Sequence, residues 1–161
     1  MPGYQKKSTE SHLYIIIIFV MFTRKNNQKT LKIICSEDCG NSPRKAQLKD
    51  LNIAFARNDV DSIMEHMSDG IVWRMVGDRV VRGKEELEKT LLHMADIGSA
   101  AELRIDHIIT HGKEGALDGC ISFDNGQQVA FCDIYVFSSH SKKARIKELT
   151  SYAVQLHPEK N

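Results

Sequence analysis

Ala54-Phe55-Ala56-Arg57-Asn58-Asp59-Val60-Asp61-Ser62-Ile63 joins the end of one helical pattern to the start of another across two polar residues, and this corner decides how the chain is read. Upstream of it, Leu48, Leu51, Ile53, Ala54 and Phe55 recur at roughly helical spacing. Ser42 suits an N-cap, and Pro43 fits the first helical position, where its missing N–H costs nothing. A first helix therefore runs from Pro43 to near Arg57-Asn58. Downstream, Asp59 opens a second helix with Val60, Ile63, Met64 and Met67 on one stripe and Asp61, Glu65 and His66 largely on the other. Ser68-Asp69-Gly70 is expected to close it.

Working outward, Ile71-Val72-Trp73-Arg74-Met75-Val76 is rich in β-formers and ends at Gly77-Asp78, a turn signal, before a short strand Arg79 to Arg82. Gly83-Lys84-Glu85-Glu86-Leu87 begins a third helix whose Leu87, Leu91, Leu92 and Met94 supply an apolar face before Gly98. From Ala101 the period shortens. Leu103 to His111, Gly115 to Phe123, Gln127 to Phe137 and Arg145 to Val154 are strand candidates separated by short polar turns. Three helices with a small hairpin, followed by four strands, predict an α+β fold in which helices cover one side of a curved, mostly antiparallel sheet.

Bulk composition narrows the function classes. The chain has 161 residues, about one domain's worth. Its 22 basic side chains nearly cancel 21 acidic ones, so it has no strong net field for a nucleic-acid backbone or an anionic membrane. With 42% hydrophobic and 27% charged residues it has the composition of a globular protein.

The amino-terminal 1–40 segment reads as an extension ahead of a domain spanning 41–157. Within it, Leu13 to Phe22 is an unbroken apolar run of ten residues flanked by Lys6, Lys7, Arg24 and Lys25. A spanning helix needs roughly 20 residues, and no small-x-small cleavage site follows. Membrane crossing and export are disfavoured, and a cytoplasmic location is expected. An appendage from an upstream start, with Met21 the natural beginning, an uncleaved tether and an extra strand stay open. Leu31 to Cys35 suits a short strand. Cys35 and Cys39 read as two ordinary thiols, and Cys120 and Cys132 fall inside strand patterns as small apolar residues. His107 and His111 share a strand face, but no third metal ligand has a recognisable spacing, so no metal or cofactor is expected.

The corner at Ala54 to Ile63, the strand Trp73-Arg74-Met75-Val76-Gly77 and the helix start Arg82-Gly83-Lys84-Glu85-Glu86-Leu87 together resemble the SnoaL-like and ketosteroid-isomerase-like members of the nuclear transport factor 2 superfamily. The resemblance covers Ser42 to Val154. It implies a cone-shaped α+β barrel enclosing one apolar pocket, and dimerisation through the outer sheet face.

Ketosteroid isomerase activity itself is not implied. The general-base Asp position holds Arg74, which stays protonated, and the oxyanion Tyr position holds Leu51. The second oxyanion acid is matched by Asp133 in Cys132-Asp133-Ile134-Tyr135. The resemblance therefore implies a pocket with Asp133 as acid/base and Arg74 as anion stabiliser, walled by Val72, Arg74, Met94, Ile121, Phe131, Asp133 and Tyr135. By this alignment Arg74, not its neighbour Trp73, faces the cavity. A small, largely apolar molecule is the expected ligand, and cofactor-independent isomerisation, cyclisation or hydration the expected chemistry. A non-catalytic dimeric interaction module is the alternative.

Alternation puts Val129, Phe131, Asp133, Tyr135 and Phe137 on one face of their strand and Ala130, Cys132, Ile134 and Val136 on the other. Both faces are apolar, which predicts that the outer one meets another subunit, the alternative being that the amino-terminal segment covers it within one chain.

Overall fold

A computed structural model describes residues 30–95 and 100–157. The Leu13 to Phe22 run, with its three readings, and Gly98 lie outside the described residues. In chain order the elements are β1 (Lys32–Cys35), a 3-10 turn (Glu37–Gly40), α1 (Pro43–Arg57), α2 (Val60–His66), β2 (Met67–Met75), β3 (Val80–Arg82), α3 (Gly83–Ala95), β4 (Glu102–His111), β5 (Glu114–Ser122), β6 (Gln128–Phe137) and β7 (Ile146–Leu156).

Helix α1 starts where its capping chemistry says it should. Ser42 is extended, and its hydroxyl accepts the Lys45 N–H at 3.3 Å. The corner to α2 is made by two residues with different tasks. Asn58 takes the left-handed conformation at φ 55°, and the Asp59 N–H returns to the Ala54 carbonyl at 2.9 Å, which satisfies the last turn of α1. The Asp59 carboxylate then caps α2 by accepting the Ser62 N–H at 3.1 Å.

The seven strands form one sheet in the order β1-β4-β5-β6-β7-β2-β3. It is mostly antiparallel, as expected, with parallel pairs at β1·β4 and β2·β7. Two details differ from the sequence reading. Ser68-Asp69-Gly70 is not a loop, because β2 begins at Met67, which is buried and paired with Ile146 of β7. Sheet pairing there overrides the local turn preference. Cys35 and Cys39 are not ordinary thiols either. The turn after β1 returns the Cys39 N–H to the Ser36 carbonyl, brings the two Cα atoms to 6.0 Å, and a disulfide joins the pair. Cys39 is buried in the core, and β1 forms an edge strand on β4, so both extend the fold ahead of residue 41.

The core lies between the helices and the concave face of the sheet. Leu48 and Leu51 of α1, Ile63 of α2 and Leu87 of α3 meet Leu103, Leu117, Tyr135 and Leu149 of the sheet, all buried. Arg44 stacks its guanidinium 3.8 Å above the Phe137 ring, closing one edge of this core.

Curvature has an identifiable source in β4 and β5. Ile105 pairs with Gly119 and His107 with Asp118, so Asp106 is an extra residue that bulges β4. The bulge brings the Arg104 carbonyl over Gly119, where any Cβ would collide with it. Gly119→Ala is therefore expected to lower stability by about 1–3 kcal/mol, whereas Gly70→Ala, with nothing near its Cβ position, should change it by less than about 0.5 kcal/mol. Urea unfolding of the two variants checks this difference.

Candidate functional site

Bending leaves a cavity of ≈ 430 Å³ between the helices and the concave sheet face. Its walls are apolar: Phe55, Val60 and Ile63 from the α1–α2 corner, Leu91 and Met94 from α3, Trp73 and Met75 from β2, and Leu103, Ile121, Phe131 and Leu149 from β4 to β7. The Phe55 and Trp73 rings meet at 5.6 Å between centroids, tilted 56°. Exposed polar residues, among them Arg79, Glu86, Lys89 and His93, line the opening.

Three polar side chains line the interior wall: Asn52, Asp133 and Ser151. They belong to one hydrogen-bonded network with a direction. Asn52 Nδ2 donates to the Leu48 carbonyl at 2.9 Å and to Tyr135 Oη at 2.8 Å. The Tyr135 hydroxyl in turn donates to Asp133 Oδ2 at 3.0 Å. On the other side, Trp73 Nε1 donates to Ser151 Oγ at 2.9 Å, and Ser151 hydrogen-bonds Asp133. Register explains the convergence: Asp133 is paired with Ser151 across β6·β7, and Tyr135 lies two residues along the same face.

Burial pushes the Asp133 carboxyl up to about 6, and the Ser151 and Tyr135 hydroxyls hold it back from rising further. The Tyr135 phenol is driven well above its usual range, first by burial and then by the Asp133 charge. Tyr135 thus remains a donor, and Asp133 is the group that titrates.

Among known families, the model described as a SnoaL-like domain matches residues 48–146. The chain belongs to the SnoaL-like family. No curated protein matches the sequence. Among solved structures, an NTF2-like protein from Cytophaga hutchinsonii is similar at 24% identity and a TM-score of 0.54, covering 68% of this chain and 97% of that one. An NTF2-like protein from Burkholderia xenovorans is similar at 17% identity and 0.60, covering 76% and 91%. The epoxide hydrolase/cyclase-like enzyme SalBIII, which has a role in pyran ring formation in the polyether salinomycin, is similar at 16% and 0.57, covering 71% and 93%. At these identities the likeness is one of fold.

Within this SnoaL-like domain the residues expected at the pocket divide into three groups. Met94, Ile121, Phe131 and Asp133 line the cavity. Tyr135 is fully buried behind it and reaches Asp133. Val72 and Arg74 are on the opposite sheet face, which corrects the orientation expected for β2. Trp73 is the residue that points inward: it is buried and pairs with Leu149, whereas Arg74 pairs with Thr150, and its guanidinium stays half-exposed, 3.5 Å from Glu148. Solvation decides the choice, since a guanidinium in an apolar cavity without a paired anion is costly, while the indole buries its rings and still satisfies its N–H on Ser151. Arg74 and Asp133 therefore do not form a pair.

Asn52, Trp73 and Ser151 are the members that sequence reasoning missed. Asn52 carried a signal, because it is a polar residue four positions after Leu48 and inside the apolar stretch of a helix. Leu51, matched to the oxyanion donor, is buried in the core, and its neighbour Asn52 makes the polar contact instead. Ser151 carried none, since only strand pairing brings it to Asp133. His107, expected on a strand face with His111, forms a contact from its Nδ1 to Asp118 at 2.9 Å on the outer surface. Among the described residues no group of three His, Cys, Asp or Glu side chains could hold a metal, and no helix is long and apolar enough to cross a membrane.

Folded Asp133 keeps its proton up to about pH 6, while the unfolded residue releases it near 3.8. The folded state thus binds the extra proton between these values, and stability is lost as pH rises through that window. Relative to Asp133→Asn, the wild-type protein should lose about 2–2.5 kcal/mol between pH 4 and pH 7, read from urea midpoints of both proteins across the range.

Proposed function

We propose that this SnoaL-like domain binds a small, largely apolar molecule in the cavity with its polar group at Asp133, and that Asp133 acts as the acid/base of a cofactor-independent isomerisation, cyclisation or hydration. The observation carrying this reading is one buried carboxyl on an apolar cavity wall, shifted to about 6. A group with that affinity is about one-tenth protonated at neutral pH and exchanges a proton readily in either direction. The volume falls within the range typical of small-molecule sites. SalBIII, an epoxide hydrolase/cyclase-like enzyme, has this fold, which agrees with acid/base work in such a cavity. Arg74 has no part in the chemistry because its charge lies outside.

Native mass spectrometry of the purified protein is expected to reveal a co-purified ligand. With its turnover established, Asp133→Asn should retain ligand and lose turnover by about 10²–10⁴-fold. Unchanged turnover would remove Asp133 from the chemistry and leave a binding module.

Self-association is supported by a separate observation. On the convex face, Ile109, Ile134 and Val154 are exposed at 65%, 42% and 63%. Ile134 lies level with Ala116 and Thr150, and Val154 level with Ala130 and Cys120. We read this apolar surface as a homodimer interface. Light scattering should give twice the chain mass, and Ile134→Glu combined with Val154→Glu should give the monomer without loss of fold. A wild-type monomer at micromolar concentration would refute it.

A further inference from the structure

The hydrogen-bond network around Asp133 has a single direction, and that direction specifies its ligand. Tyr135 Oη accepts from Asn52 Nδ2, so its own proton goes to Asp133. Ser151 Oγ accepts from Trp73 Nε1, so its proton is likewise free for Asp133. Both relays end on the carboxyl as donors, leaving it an acceptor in its ionised form. Its protein partners are two neutral hydroxyls, and among the described residues it forms no salt bridge. The arginine and the lysine that line the cavity are engaged elsewhere, Arg79 Nε with Asp78 at 3.2 Å and Lys89 Nζ with Glu85 at 2.7 Å, and Arg74 lies on the far side of the sheet.

A buried anion without a cation is an unfinished ion pair. The rings of the same cavity carry a matching preference, since Phe55, Trp73 and Phe131 line its wall and aromatic faces attract positive charge. The geometry points to an amine: the ligand of this cavity carries a protonated nitrogen, seated against the Asp133 carboxylate and the aromatic wall, on an apolar body. Against the ionised carboxylate a ketone or a second carboxylate offers only acceptors and is disfavoured in the same place. This inference rests on the cavity being a ligand site and adds the charge and hydrogen-bonding sense of what it holds.

Three ligands sharing one cage-shaped hydrocarbon body test it on the full chain: adamantylmethylamine, adamantylmethanol and adamantanecarboxylic acid. Binding is followed by calorimetry and by fluorescence of Trp73, the one tryptophan in the chain. Near pH 8 the amine is expected to bind about tenfold or more tighter than the alcohol, as a charged hydrogen bond does over a neutral one, and the acid more weakly than either. Lowering the pH through about 6, where Asp133 takes up its proton, should erase the advantage of the amine and leave the alcohol unchanged.

Other groups at the cavity that carry or change charge are Asp78 and Arg79 from the β2–β3 turn, Glu86, Lys89 and His93 from α3, Tyr135 from β6 and Tyr152 from β7. His93→Gln should leave the pH effect in place. Asp133→Asn should bind amine and alcohol alike. An alcohol or acid that matches the amine, an amine preference surviving in Asp133→Asn, or an amine affinity flat with pH would each overturn the inference while leaving the ligand cavity standing. Because the wild-type pH series needs no variant, a misfolded Asp133→Asn protein does not rescue the idea. Failure of all three compounds to bind at millimolar concentration would count against the cavity reading itself and take this inference with it.

Discussion

Asp133 is an acid held away from water by apolar walls, with hydroxyl groups from Tyr135 and Ser151 as its protein partners. Desolvation of a carboxylate is costly, and two neutral donors offset only part of the cost, which is why the proton is held to about pH 6. Keeping such a group requires that each donor be fixed from behind. Asn52, tied to its own helix through the Leu48 carbonyl, orients Tyr135, and Trp73 orients Ser151. No side-chain polar atom buried among the described residues lacks a partner, so Asp133 is a titratable acid in a hydrogen-bonded interior.

This arrangement depends on the shape of the sheet. The extra residue at Asp106 and the absent side chain at Gly119 let β4 and β5 bend together. The Asn58-Asp59 corner turns α2 back on α1, so that Val60 and Ile63 approach the same space as Phe55. A flat sheet under the same helices would bring these side chains into direct contact with Phe131 and Leu149. Curvature and the helix corner separate them, and the cavity is the volume left over.

Inner and outer faces of the sheet divide the chemistry between them. On the concave side stand the ring systems, the acid and its donors. On the convex side polar and charged residues stay in solvent as pairs, Arg104 with Asp106, the His107 ring with Asp118 and Arg74 with Glu148. Exposed pairs of this kind contribute little to stability. They surround exposed apolar positions such as Ile109, Ile134 and Val154, and so make that face partly charged and partly apolar.

Local sequence was enough for the fold class and for most of the elements, though not for the start of β2 at Met67. Ser42 and Pro43 mark the start of α1, Asn58 and Asp59 mark the corner, and alternation along β6 places Asp133 and Tyr135 on one face, because capping, backbone conformation and the two-residue period of a strand are set by near neighbours. It was not enough for the site. Whether Trp73 or Arg74 points inward depends on the register of β2 against β7, residues some seventy-five positions apart in the chain, and the same pairing brings Ser151 to Asp133. A one-residue shift in register exchanges the faces of a strand. Long-range pairing, with the burial cost of a guanidinium choosing between the two registers, therefore decided what the cavity contains, and no local pattern encodes that choice.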